Sequence, residues 1–222
     1  MNRIDPEPKK EEAYSAYDWP VLSTKFAERR EPSVLRGFVE VAEQRRSKRV
    51  LTRASQDVVV GALLFALQPR FRKEGDALNR TRGLSLSAGA LHPISVLLFD
   101  QDAVFRVNAE ASTLDRLKFS ESSCTAWLNK CRQVLPQADG TFMVFIADMA
   151  RPQSAYKNSE SLVWRDAGAM LQTMSLVSEL FGLGFCPLGM LGNEVVSALP
   201  GNENLLAVGA AVIGLQATGQ EP

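Results

Sequence analysis

Histidine is almost missing from this chain, and cysteine is scarce. There is one His, His92, and there are three Cys, Cys124, Cys131 and Cys186, in 222 residues. A single imidazole excludes a histidine-rich metal centre, and the three thiols show no metal-ligand spacing. Cys124 and Cys131 lie a heptad apart in a helical stretch, where semi-buried thiols in a reduced, cytoplasmic setting are expected. Net charge is missing too: 25 Lys plus Arg balance 25 Asp plus Glu, so nothing global draws the chain to nucleic acid or membrane. No apolar run reaches membrane-spanning length, and Met1 to Glu12 is too charged for a secretion signal. Gly182-Leu183-Gly184 does not continue into a Gly-x-Gly-x-x-Gly fingerprint, and no Gly-rich loop ends in Gly-Lys-Ser/Thr. Rossmann and P-loop signatures are therefore absent.

What is present is an ordinary globular composition, 45% apolar and 23% charged, with enough chain for a sizeable core. Residues 1–33 are polar, carry Pro6, Pro8, Pro20 and Pro32, and hold a small aromatic group at Tyr14, Tyr17 and Trp19. They read as an extended arm, with one domain over 34–222. Helical spacing is expected over 34–44, through Leu35, Phe38, Val39, Val41 and Ala42. A second helix follows Ser55 or Asp57 and stops at Pro69. Residues 70–83 are basic and read as a loop. Ile94–Phe99 and Ala103–Val107 form a hairpin around Asp100-Gln101-Asp102, and 114–135 is helical in character. Thr141–Ala147 and Leu205–Gly214 are buried strands. The strongest helix is Leu162–Phe181, with a broad apolar stripe ended by Gly182. Mixed elements with a hairpin give an α+β fold.

Three segments carry chemistry. Arg45, Arg46, Ser47 and Arg49 gather cations around one hydroxyl, which suits a phosphate; a solvated basic helix end is the plainer reading. Ser87, Ala88, Gly89 and Ala90 are four small residues before Leu91, through which backbone can approach a flat ligand; an ordinary loop entering a strand would look the same. Gly182 is explained as a helix C-cap, but Pro187, Leu188, Gly189 and Met190 have no such simple reason.

In this order and at roughly these separations, the three segments resemble the FMN-dependent nitroreductase family, from about residue 36 to residue 214. Ser87-Ala88-Gly89-Ala90-Leu91 most resembles the SagB-type azoline dehydrogenases, which oxidise heterocycles in modified peptides. The resemblance implies a mixed or antiparallel central sheet flanked by helices, in a domain-entwined homodimer with flavin sites at the subunit interface. It implies that Arg45, Ser47 and Arg49 hold FMN phosphate and ribityl, that the 87–91 turn touches the isoalloxazine ring, and that amides of 187–190 reach the flavin edge. Such donors favour the anionic reduced flavin. Leu86 replaces the usual proline, and His92 stands where Tyr is frequent. The basic residue often found near the C-terminus is absent, since no Lys or Arg follows Gly214.

Tyr156-Lys157 lies upstream of the long helix, where azoline dehydrogenases use a Lys-Tyr pair as acid and base; here the order is reversed, and two polar loop residues is the plainer reading. The expected function is hydride transfer through FMN. In the dehydrogenase version a base removes a proton as hydride leaves the adjacent carbon of a peptide azoline. In the alternative, NAD(P)H reduces the flavin and a nitroaromatic or quinone reoxidises it. A non-catalytic subunit docking a partner enzyme of a peptide-modifying complex is the third reading.

Overall fold

The computed structural model describes residues 4–34, 36–100 and 103–217. At its centre lies β9, Thr141–Asp148, the continuous apolar run. Met143, Phe145 and Ala147 face one core cluster, while Phe142, Val144 and Ile146 face another. Both faces of the strand are covered, which is why its sequence does not alternate. β12, Leu205–Gln216, pairs on one side of β9 and β6, Ile94–Asp100, on the other.

From β6 the sheet continues through β7 (Ala103–Asn108) and β8 (Thr113–Leu117) to β2 (Val21–Phe26) at one edge. The expected hairpin is the β6–β7 pair, with Phe99 opposite Val104; Gln101 and Asp102 lie outside the described residues. Beyond β12 lies β11, Leu183–Leu188, and the two-residue β3, Leu51–Thr52, also pairs with β12. Every ladder of this eight-stranded sheet is antiparallel.

On one face pack α2 (Gln56–Leu67) and α5 (Glu160–Leu180), with Val59, Leu63, Val163, Met170 and Met174 in the core. The other face carries α3 (Glu121–Val134), through Cys124, Trp127, Leu128 and Cys131, and the short α6 (Asn193–Ser197) through Val195. α5 stops where Gly182 takes a left-handed φ of 70°.

Several boundaries differ from expectation. Residues 114–117 belong to a strand that sends Leu114 into one core cluster and Leu117 into the other before Ser120 caps α3. The first helix shrinks to α1, Phe38–Gln44, behind Gly37; only Val41 is buried, and Leu35 lies outside the described residues. Residues 70–83 contain a minimal ladder, β4 (Phe71–Arg72) with β5 (Thr81–Arg82). The segment 183–188, expected as a turn, is a full strand: a Cβ at Gly184 would collide with Leu51, so the glycine serves close packing of β3 against β11.

Residues 4–33 lie along the fold. β1, Glu7–Pro8, pairs with β10, Tyr156–Lys157, while β2 supplies the sheet edge. Between them the Tyr17 amide donates to Asp148 at 2.8 Å, and Glu11 is ion-paired with Arg80. α4, Ala150–Gln153, completes the elements.

Candidate functional site

The turn at 87–92 is the most tightly specified loop of the chain. Ala88–Ala90 make a single 3-10 turn, and Gly89, Ala90 and His92 have φ of 61°, 56° and 46°. Left-handed backbone costs a residue with a Cβ roughly 1–2 kcal/mol, so two such residues together need outside support. Asp166 of α5 gives it. Its carboxylate accepts from the Ser87 hydroxyl at 2.5 Å and from the Ala88 amide at 2.9 Å. The same Ser87 oxygen accepts the His92 amide at 2.9 Å, closing the turn on itself. Ser87 thus acts from the inside, as a brace, while Leu86 and Gly89 stay exposed.

Asp166 did not stand out in the sequence. One signal was there: it shares the buried stripe of α5 with Val163, Ala167 and Met170, and a carboxylate on a core-facing stripe needs a polar partner.

Tyr156 reaches the same turn. A Cβ built on Gly89 would lie 2.9 Å from the Tyr156 hydroxyl oxygen, so the bare glycine is what lets the phenol in. Lys157, the next residue in β10, is exposed and sits opposite Glu7 in the ladder. The pair is therefore divided, with Tyr156 at the turn and Lys157 toward solvent.

His92 is half-buried, and its Nε2 lies 3.0 Å from the Thr81 carbonyl. Burial lowers its pKa below the ordinary 6.5, only partly offset by that carbonyl and by Asp166. The neutral ring then donates from Nε2.

The cation cluster is placed differently. It leaves the end of α1 and docks by backbone on β11: Ser47 bridges Phe185, and the Lys48 amide donates to the Phe185 carbonyl at 3.1 Å. Arg46, Ser47 and Arg49 are exposed and Arg45 is half-buried. Arg46 donates to the Glu43 carbonyl; among the described residues no ion pair engages Arg45, Arg46 or Arg49. Arg49 is close enough to Cys186 of β11 to oppose the rise that burial imposes on that thiol's pKa. Pro187 and Leu188 pair with Ala211 and Ala210 at the end of β11; Gly189 and Met190 run on from it, with open space around Gly189.

β11 thus links the cations at Phe185 with the segment 187–190, while the 87–91 turn hangs on the first half of α5. No hydrogen bond or ion pair among the described residues joins the cluster to the turn. Nor do these residues contain a group of three His, Cys, Asp or Glu able to hold a metal, or a helix long and apolar enough to cross a membrane.

No protein-family model matches the chain, and no curated protein matches it. Solved structures do. A provisionally named nitroreductase from Ralstonia eutropha superposes with a TM-score of 0.66 at 15% identity, covering 97% of this chain and 100% of that one. Another from Anabaena variabilis gives 0.59 at 15% identity, over 81% of this chain and 38% of that one. A nitroreductase-like family protein from Bacillus cereus gives 0.53 at 13% identity, over 86% and 92%. At such identities the likeness carries the architecture: the chain has a nitroreductase-like α+β fold.

Proposed function

We propose that the protein is an FMN-dependent oxidoreductase, built as a homodimer and working in the cytoplasm. The observation that carries this reading is the braced 87–92 turn, with Tyr156 beneath Gly89, in a nitroreductase-like fold. The residues present fit the cofactor. Arg45 and Arg49 offer guanidinium forks not engaged in ion pairs among the described residues, Ser47 is exposed, and so is the backbone at Gly89. Gly189 and Met190 add backbone at the end of β11. Bound FMN supplies hydride exchange at its N5.

Within that class we favour the SagB-type dehydrogenase acting on peptide azolines, on the strength of Ser87-Ala88-Gly89-Ala90-Leu91. Tyr156, held at the turn, is then the acid–base group of the pair placed to exchange a proton with the substrate, serving as base only in its ionised form. Lys157, exposed on the other side of β10, favours the NAD(P)H-dependent nitro or quinone reductase, which needs no such base. Dimerisation is supported by apolar surface near both motifs: Phe38 is 74% exposed, Leu86 81% and Trp164 37%.

The test is spectroscopic first. The purified protein is expected to be yellow, to release FMN on denaturation and to sediment as a dimer. A colourless protein that ignores added FMN would overturn the reading and favour a docking subunit. In a flavin-loaded protein, Tyr156→Phe is expected to lower azoline oxidation by about 10²–10⁴-fold with the flavin spectrum intact. Full activity in that variant would leave the reductase.

A further inference from the structure

Residues 5–17 cross the fold with their two ends held unequally. Downstream, Tyr17 fixes the chain twice: its amide donates to Asp148 at 2.8 Å and its hydroxyl to the Pro200 carbonyl at 2.6 Å. Upstream there is little apolar anchorage, since none of residues 5–13 is buried. Polar contacts hold them instead. Glu7 and Pro8 pair with Lys157 and Tyr156, the Lys9 amide donates to the Ala155 carbonyl at 2.9 Å, and the Glu12 amide donates to the Ser154 carbonyl at 3.0 Å. Glu11 is ion-paired with Arg80, its own side chain 49% exposed. Two-stranded ladders are marginal alone, and exposed ion pairs add little. Segments held this way are the ones that open locally.

Tyr14 is the exception. It packs against a small core of Leu78, Leu91 and Ala155, which Tyr156 also joins. Burial raises the Tyr14 phenol above its ordinary pKa, and Arg151, hydrogen-bonded to it, works against the rise. Arg151 in turn donates to the Asn79 carbonyl at 2.9 Å. Tyr14 is therefore a peg that joins the N-terminal segment to the 70–83 loop, to the 87–92 turn and to β10.

Two features depend on this segment. The first is β10, which among the described residues pairs with nothing but β1. The strand carrying Tyr156 is thus a strand only while residues 7–8 lie beside it. The second is a cavity of about 290 Å³ behind the turn, lined by Ser85, Ser87 and His92, with Tyr14 and Ala16 in its wall. Ser15 and Ala16, between the Tyr14 peg and the Tyr17 anchor, are exposed, which places the pivot there.

We propose that residues 5–14 are a hinged strap: swinging out about Ser15 and Ala16, it lifts Tyr14 from its small core, uncovers the cavity and releases the Tyr156 strand in one motion. Closed, the strap seats the Tyr156 phenol beneath Gly89. The device does not depend on the flavin reading, because every contact in it lies within the chain.

Ser85→Cys puts a thiol on the cavity wall in place of a hydroxyl that is buried without a partner. The three native thiols are buried, and burial pushes that of Cys131 up to about 12, so they add little background. The full-length protein is labelled with iodoacetamide under native conditions while amide exchange is followed in parallel. Lys9→Pro removes the donor to Ala155 and an exposed pair with Glu12, yet Lys9 lines no part of the cavity. It should speed both labelling at position 85 and exchange of the Glu12 amide by roughly two- to tenfold, the value of one backbone bond. Tyr14→Ala should speed both by at least about tenfold, with β9 amides unchanged in either variant. Conversely, Tyr156→Ala should speed exchange of the Lys9 and Glu12 amides. Faster Glu12 exchange in Lys9→Pro with unchanged labelling would overturn the strap as a gate, and unchanged strap exchange in Tyr156→Ala would overturn its link to Tyr156. Equal acceleration in β9 would mean global unfolding and would overturn both. If Ser85→Cys loses the native spectrum, Ser95→Cys on β6, in the same lining, takes its place.

Discussion

Residues 87–92 spend their polar groups inside the chain, whereas Arg45, Ser47 and Arg49 hold theirs at the surface. In the turn, one hydroxyl both donates and accepts, one carboxylate takes two donors, and a phenol fills the gap left by a missing Cβ. In the cation cluster, backbone is tied down at Phe185, and of the side chains Arg46 donates to the Glu43 carbonyl. The first region has its shape set by its own contacts; the second has its backbone position set and Arg46, Ser47 and Arg49 exposed about it. A planar ring is served by the first arrangement, because fixed backbone loses no entropy on contact. A phosphate is served by the second, because charge acts at a distance and tolerates adjustment.

The sharpest way to break this contrast is at Asp166. Asp166→Ala strands the Ser87 hydroxyl and the Ala88 amide, and should cost about 3–6 kcal/mol of stability in urea unfolding, the value of two bonds to a charged acceptor. Asp166→Asn keeps one acceptor oxygen and should lose about half of that. A loss in Asp166→Ala below about 1 kcal/mol would show that the turn stands without its brace.

Gly89→Ala comes next. The new methyl meets the Tyr156 hydroxyl at 2.9 Å and adopts a φ of 61°. A cost of about 1–2 kcal/mol is expected, part of it recovered in Gly89→Ala/Tyr156→Ala, where the methyl has space. Equal costs in the two backgrounds would mean that backbone conformation alone is responsible.

On the other side of the comparison, Arg45→Ala/Arg49→Ala should leave unfolding within about 0.5 kcal/mol of the parent, as surface substitutions do. Its FMN affinity should fall roughly ten- to a hundredfold. An unchanged FMN dissociation constant would remove the phosphate role.

The smallest effect is expected at His92. Its folded-state pKa lies below the ordinary 6.5 because burial disfavours the cation. Below that ordinary value the unfolded chain binds the proton that the folded chain refuses, so stability falls as pH drops through 6.5 and below. The slope is at most about 1.4 kcal/mol per pH unit, and His92→Gln should reduce the slope in that window by this contribution. An identical slope in the variant would place the titration elsewhere.

The long apolar runs were legible because each exceeds what chance or a surface element would carry. β9, β12 and α5 fall where their patterns place them, with ends moved by one or two residues. The strand at 183–188 was not, since Gly184 and Pro187 mask its pattern, and only the closeness of Leu51 explains Gly184. Residues 114–117 were hidden by a helix that starts soon after them. At the site, the small-residue turn and the cation cluster are visible in sequence because composition alone sets them apart. Asp166 is 79 positions from Ser87, and no local pattern links the two. The division of Tyr156 from Lys157 also needed the fold, because a strand sends neighbours to opposite faces without saying which face meets the turn.

By itself, then, the sequence determined the buried strands, the central helix, the flexible backbone at Gly89 and the gathering of positive charge at 45–49. These are properties of residues acting within a few positions of one another. Tertiary structure alone decided that Asp166 braces the turn and that Tyr156 rather than Lys157 lies against it. Each of those juxtapositions joins elements distant in the chain. The physical reason is that long-range contacts are fixed by how whole faces pack, not by what any one segment prefers.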